Sequence, residues 1–215
     1  MNLTKFLLID GGLLLLVLTL LFAYQGQKAK VSLLTNLDTN QIDITNENSI
    51  NLPSYTKLME LEQIARKEGS GIDYASLIGI WKFESVWRKG TDRENSISSS
   101  LLRMFSASLE IKRSQLDNEL LKFDIINSIE FGVLSIRFIG SGDVEGSRPL
   151  LPFSFERIEL KFSKNSLFTR SLDIPDKNNR PFFALIAMES NGKWLAARGR
   201  GGGLALWLKG EANKH

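Results

Sequence analysis

The chain has 215 residues, of which 43% are hydrophobic and 24% are charged, with a net charge of +3. This is the composition of a folded domain with an appendage, and it is not basic enough for a dedicated nucleic-acid binder. There is no cysteine, and the only histidine is His215. This excludes thiolate nucleophiles, Ser-His-Asp triads and metal sites built on cysteine or on several histidines. We therefore expect no enzyme activity, no catalytic residues, no metal and no cofactor.

An almost continuously apolar segment, FLLIDGGLLLLVLTLLFAY, occupies residues 6–24. As a helix it would be roughly 28 Å long, close to the thickness of the hydrocarbon core of a bilayer. We interpret residues 1–27 as a single-pass membrane anchor whose orientation the flanking charges leave open. A cleaved signal peptide is the alternative, although the bulky Leu21 lies where a small residue is expected before the cleavage site.

A polar linker and a helix follow the anchor. Residues 28–52 are rich in Asn, Thr, Asp and Ser without periodicity, which is typical of a linker. Pro53 and Ser54 mark a helix start, and the glycines of 69–71 end it. Four apolar residues are expected on one face of this helix: Leu58, Leu61, Ile64 and Ala65. We expect that face to pack on the domain, because the polar face mixes both signs of charge; a membrane-surface helix is the alternative.

From Leu77 onward, short apolar or alternating runs are separated by turn residues. The run IGIWKFESVW places Trp81 and Phe83 on one face, and SLLRMFSASLEI and FSFERIELKFS are further candidate strands. Residues 127–140 alternate in period two with a phase shift near Leu134, which predicts a β-bulge. About eight short strands predict a mainly β domain over residues 53–210, an antiparallel sandwich or barrel, followed by a tail at 211–215.

The glycine-rich run GRGGG at 199–203 has three interpretations. A phosphate-binding loop needs a helix after it, but only an alternating apolar run and the C-terminus follow. An arginine–glycine RNA-binding segment normally repeats within disordered sequence, whereas this one is single. We therefore predict a hairpin turn that joins strands Lys193–Arg198 and Gly203–Lys209.

Two stretches resemble the plastid-lipid-associated protein (fibrillin) family. WLAARGRGGGLALWLK is similar to the C-terminal signature of that family, and ASLIGIWKFESVW resembles its Leu-x-Gly-x-Trp opening through Leu77, Gly79 and Trp81. Arg200 stands where the family usually has an acidic residue. The resemblance covers roughly Ser54 to Lys209 and implies a lipocalin-like β-barrel at thylakoid or other photosynthetic membranes that binds carotenoids, quinones or acyl lipids without catalysis.

Five residues are candidates for ligand binding: Trp81, Phe83, Phe131, Trp194 and Arg198. The aromatic residues would line a hollow barrel, with Trp81 and Trp194 favoured because they lie in the family-like motifs; core packing is the alternative. Arg198 pointing inward would offer its guanidinium to a ligand carboxylate, phosphate or carbonyl. Its alternative role is to bind an acidic partner or the carbonyls of its own chain and so hold the hairpin.

The expected partners are membrane lipid and a lipophilic small molecule, and no nucleic acid. A second function fits the same sequence. The barrel could be filled by its own side chains and act as an auxiliary or assembly subunit that docks a photosynthetic membrane protein complex.

Overall fold

The computed structural model describes residues 51–114, 122–146 and 149–211, apart from the side chains of Ser96, Ile97 and Leu101. The predicted anchor and almost all of the predicted linker lie outside the described residues. Within the part of the chain that is described, no helix has the length and apolar character needed to cross a membrane.

Helix α1 spans Tyr55–Glu68 and confirms the predicted helix. The Ser54 hydroxyl caps it by accepting a hydrogen bond from the Lys57 amide at 3.2 Å, and the chain leaves the helix at Gly69 with φ 89°. The predicted apolar face is partly wrong. Ile64 is 48% exposed, whereas Glu62 is buried together with Leu58 and Ala65, because Glu62 has a charged partner on the sheet.

Helix α2 spans Ser96–Met104, and short 3₁₀ helices span Tyr74–Leu77 and Lys177–Asn179. The first part of SLLRMFSASLEI is therefore helical, and only its second part forms a strand. Nine strands make up the rest of the fold: β1 Gly79–Trp87, β2 Ser108–Arg113, β3 Lys122–Phe131, β4 Leu134–Asp143, β5 Leu150–Phe162, β6 Asn165–Ser171, β7 Phe182–Met188, β8 Trp194–Gly199 and β9 Leu204–Lys209.

The nine strands form one antiparallel sheet in the order β4-β3-β2-β1-β9-β8-β7-β5-β6, and β4 also pairs with β5. Eight strands therefore close into a barrel-like ring, which confirms the mainly β prediction. β6 lies outside the ring and pairs with the second half of β5, where Arg157 is opposite Ser171 and Phe162 is opposite Asn165. Along the same edge of β5, its first residues, from Leu150 to Pro152, pair with β7.

The predicted hairpin turn and the predicted β-bulge have different outcomes. GRGGG is a hairpin turn between β8 and β9, as predicted, with Trp194 opposite Leu208 and Arg198 opposite Leu204. Residues 127–140 are not one bulged strand. They form the end of β3, a two-residue turn and the start of β4, with Phe131 paired to Leu134. The phase shift in the sequence is this turn, which Gly132 permits at φ 58°.

A register shift between Phe83 and Ser85 divides β1 into two parts. Because one extra residue exchanges the faces of a strand, Trp81 faces the interior of the ring while Trp87 faces outward. Trp81 belongs to the interior cluster with residues such as Ile111 and Phe123. Trp87 packs in the outer cluster, where Leu58 of α1 covers β7, β8 and β9.

Candidate functional site

Trp81 lies at the end of the ring where β1 begins, and its side chain is fully buried. Its indole Nε1 donates a hydrogen bond to the Leu77 carbonyl at 2.7 Å, and the Lys209 ammonium lies 4.1 Å from the ring centroid. Lys209 Nζ also donates to the carbonyls of Ser76 and Ile78, at 3.1 and 2.6 Å. Burial lowers the pKa of Lys209. These contacts close this end with groups of the protein itself.

A row of aromatic rings crosses the interior from β4 to β1. Phe155 contacts Phe138 and Phe153 at centroid distances of 5.5 and 5.3 Å, and Phe153 stacks on Phe183 at 5.0 Å. The row continues through Trp207, which lies 5.5 Å from Phe183 and 6.3 Å from Phe83. Large side chains of the protein therefore fill the interior along this row. Phe83 is one of them and is half-buried.

Trp194 does not line the interior, and its prediction as a lumen residue is wrong. Leu195 and Ala197 belong to the interior cluster, so Trp194 and Ala196 lie on the opposite face of β8. There Trp194 packs with Leu58 and Ile186 beneath α1. The sequence alone could not distinguish the two faces, because α1 covers the outer one and makes both equally apolar.

Arg198 also lies on the outer face of β8, and the structure selects its alternative role. Its Nε donates to Glu62 Oε1 at 2.8 Å and its Nη2 to Glu62 Oε2 at 2.5 Å, while Nη1 donates to the Gly202 carbonyl at 2.6 Å. The guanidinium therefore joins α1, β8 and the glycine turn. The guanidinium does not point into the interior of the ring, so the prediction that Arg198 points inward toward a ligand is wrong.

Glu62 is the buried centre of this charge cluster, with 3% of its side chain exposed. Arg66 contacts it as well, at 2.6 Å. Burial acts to raise the pKa of Glu62, but the hydrogen bonds and positive charges of Arg198 and Arg66 outweigh burial, and its pKa is lowered. The carboxylate is thus held ionised as part of the fold.

The other end of the ring, where β3 ends and β4 begins, presents apolar side chains to solvent. Residues that are directly opposite in an antiparallel pair point to the same face. Phe131 is opposite Leu134 and Leu134 is opposite Phe162, while Leu160 is opposite both Ile136 and Phe168. We call these six residues the apolar face: Phe131, Leu134, Ile136, Leu160, Phe162 and Phe168.

The apolar face continues the interior of the ring. Phe138 is two residues from Ile136 on β4, so it has the same orientation; it is 2% exposed and its ring contacts Phe155. The three phenylalanines of the apolar face are far more open: Phe131 is 45% exposed, and Phe162 and Phe168 are each 51% exposed. One surface thus changes from a packed core to an uncovered apolar face along the same strands.

Phe131 is the predicted ligand-binding residue that lies on the apolar face. Its ring contacts Phe105 at a centroid distance of 5.3 Å, and Phe105 is buried just after α2 in a small cluster with Leu102 and Ile129. Helix α2 therefore borders the apolar face on the β1 side. Of the five predicted residues, the structure brings Trp81 and Phe83 into the interior, leaves Phe131 at its open end and places Trp194 and Arg198 outside.

Across 51–114, 122–146 and 149–211, no group of three or more His, Asp or Glu is placed to hold a metal ion. A groove of about 290 Å³ on the outer surface is lined by Arg180, Arg200 and Lys177. These cations have partners in the chain: Lys177 contacts Glu145 at 3.3 Å, Arg200 donates to the Arg180 carbonyl at 2.7 Å, and Arg180 Nε donates to the Pro175 carbonyl at 3.5 Å.

Comparison with protein-family models, with curated proteins and with solved structures finds no match for this chain.

Sequence reasoning missed Glu62 and most of the apolar face. Glu62 lies next to Leu61 in a helix with mixed charges, and only the contact with Arg198 distinguishes it from a surface carboxylate. The period-two pattern of Ile158, Leu160 and Phe162 did indicate one apolar side of β5. What it could not indicate is that β6, whose residues are all exposed, continues this side beyond the ring and leaves it uncovered.

Proposed function

We propose that this protein binds a lipophilic small molecule, such as a carotenoid, a quinone or an acyl lipid, without catalysing a reaction on it. The domain would do so as a lipocalin-like member of the plastid-lipid-associated type, held at a photosynthetic membrane by a transmembrane helix over residues 6–24. The apolar part of the ligand lies across the apolar face.

The exposure of the apolar face is the observation that carries this proposal. Soluble protein surfaces rarely leave several large apolar side chains uncovered side by side, and such patches mark binding sites. Phe131, Phe162 and Phe168 are each about half exposed, and they adjoin a packed apolar interior instead of a polar one. A flat, flexible hydrocarbon could cover them without breaking any hydrogen bond.

The ligand position differs from that of a hollow lipocalin, because the aromatic row already occupies the interior. Burying about 400 Å² of apolar surface would contribute about 10 kcal/mol before the cost of association. With an association cost of about 4 kcal/mol, the net corresponds to a Kd of roughly tens of micromolar. Binding of this strength is reversible, as transfer to and from a membrane requires.

The proposal is tested by the lipophiles that copurify with the full-length protein from its own membranes. In the double variant Phe162→Ser and Phe168→Ser we expect the amount of bound lipophile per protein to fall about tenfold, because two apolar contacts of the ligand are lost. The matched control is Ile64→Ser with Ile174→Ser, which removes apolar side chains of similar exposure, 48% and 55%, from other surfaces.

Extraction and mass spectrometry measure the bound lipophile in each preparation. An equal loss in both double variants, or no lipophile above the background of bulk membrane lipid in the wild type, would contradict the proposal.

A second function is favoured by the filled interior. With Phe153 and Phe183 stacked at 5.0 Å, the domain could equally be an auxiliary subunit whose apolar face docks a photosynthetic membrane protein complex. Stoichiometric protein partners without bound lipophile in the same purification would support this alternative.

A further inference from the structure

We infer that two hairpin tips at the open end of the ring insert into the interfacial region of an anionic bilayer. The tips are residues 131–134, between β3 and β4, and residues 162–168, between β5 and the middle of β6. This inference rests on the proposed function for its role, since docking at this end would bring the apolar face to the membrane from which a lipophile is exchanged.

The two tips lie side by side at one edge of the molecule. The Ser163 amide donates a hydrogen bond to the Val133 carbonyl at 2.5 Å, and Leu134 is opposite Phe162 in the β4–β5 pair. Each turn needs a residue with positive φ, Gly132 at 58° and Ser163 at 54°. The hydrogen bond and the strand pairing hold the tips together as one protruding edge.

Exposed apolar side chains are concentrated at this edge. Nine large apolar side chains of the described residues are exposed, and five of them belong to the two tips. Val133 is 57% exposed and Leu167 is 61% exposed. Neither is part of the apolar face: Val133 is a turn residue, and Leu167 is the extra residue where β6 shifts register against β5. A ligand on the apolar face would leave both of them uncovered.

The charges beside the tips favour an anionic surface. Residues 157–170 carry four cations and one carboxylate. That carboxylate, Glu159, is already shared by Arg157, Lys161 and Arg137 at 3.0, 3.4 and 3.8 Å. Lys164 in the turn and Arg170 at the end of β6 are exposed. The exposed Glu130 opposes them from the end of β3 but is outnumbered. In this arrangement the apolar side chains insert between the lipids while the cations next to them bind anionic headgroups.

The absence of cysteine in the chain provides a direct test. Single variants Val133→Cys and Leu167→Cys of the full-length protein are labelled with an environment-sensitive fluorophore. They are reconstituted into phosphatidylcholine vesicles with or without phosphatidylglycerol. All vesicles also contain lipids that carry a quencher on the acyl chain. Ile64→Cys on α1 and Ser190→Cys between β7 and β8 are labelled in the same way as controls; both positions are exposed.

We expect blue-shifted emission and acyl-chain quenching at positions 133 and 167 in vesicles that contain phosphatidylglycerol, and aqueous emission at positions 64 and 190. Replacing Lys164 and Arg170 by Glu should weaken insertion by at least about 25-fold, since each cation near an anionic surface strengthens binding roughly fivefold. Aqueous emission at both tips, or equal quenching at all four positions, would overturn the inference. Aqueous tips that become protected only when a protein complex is added would assign the edge to a protein partner instead.

A further variant distinguishes failure of membrane insertion from failure of the proposed lipophile binding. The double variant Val133→Ser and Leu167→Ser removes tip side chains that are not on the apolar face, so lipophile should still copurify with it while membrane insertion is lost. The insertion is then measured with the same fluorophore at Ser166→Cys, an exposed and uncharged position of the second tip. Loss of lipophile from this variant with insertion intact would contradict the inference.

Discussion

Glu62 and Arg198 join α1 to the ring through two side-chain hydrogen bonds, and with 3% and 17% of their side chains exposed they are nearly removed from water. Replacing Glu62 by Gln leaves the guanidinium beside a neutral amide, so we expect the free energy of unfolding to fall by about 2 kcal/mol. Urea unfolding of the full-length protein in detergent micelles, followed by tryptophan fluorescence, measures this. Glu60→Gln on the same helix is the control, because its ion pair with Lys57 is exposed and should contribute little.

The same pair makes a pH-dependent contribution with a defined sign. The pKa of Glu62 is lowered in the folded protein from an ordinary value of 4.5, so the unfolded chain takes up a proton at higher pH than the native one. The stability difference between wild type and Glu62→Gln should be complete above about pH 4.5 and should decline as the pH falls through the lowered pKa of the folded state. A difference that is constant from neutral to acidic pH would mean that Glu62 acts by packing alone.

At the scale of elements, the turn between β8 and β9 depends on one of its glycines. Gly202 has φ 87° and an added Cβ would lie 2.8 Å from the Lys89 side chain, whereas a Cβ on Gly203 would have its nearest neighbour at 3.7 Å. We expect Gly202→Ala to lower the free energy of unfolding by about 1–2 kcal/mol, because an L-residue is strained at positive φ, and Gly203→Ala to cost clearly less. Equal effects in the same urea measurement would contradict this account of the turn.

The elements also show what the sequence could and could not predict. Period-two alternation located β1 and β5, and the glycine run between two apolar stretches located the β8–β9 hairpin, although β8 is buried on both faces. It could not assign an absolute face: Trp81 and Trp87 belong to the same strand but lie on opposite sides because of the shift after Phe83. Helix α2 has an amphipathic period, and Asn95 caps it by accepting a hydrogen bond from the Ser98 amide at 3.2 Å. The strand prediction for this segment is wrong because the short helical period runs directly into the alternating residues of β2.

At the scale of the whole molecule, the ring has two unlike ends. Lys209 and the helix Tyr74–Leu77 close one end over Trp81. The other end carries the apolar face on strands that extend past the ring into β6. The sequence favoured a ligand inside a hollow barrel, whereas the filled interior moves the expected site to the open end. That difference depends on β5 leaving β7 and pairing with β6 along the same side, which no local pattern encodes.

The central claim is that a lipophile binds on the apolar face, and photolabelling tests it most directly. The full-length protein in phosphatidylcholine nanodiscs is irradiated with a photoreactive acyl or quinone compound, and the labelled peptides are sequenced. We predict saturable labelling of residues 131–136 and 158–168 that excess unlabelled compound prevents. Labelling that does not saturate, or that falls on interior residues such as Phe153 and Trp207 instead, would contradict the account.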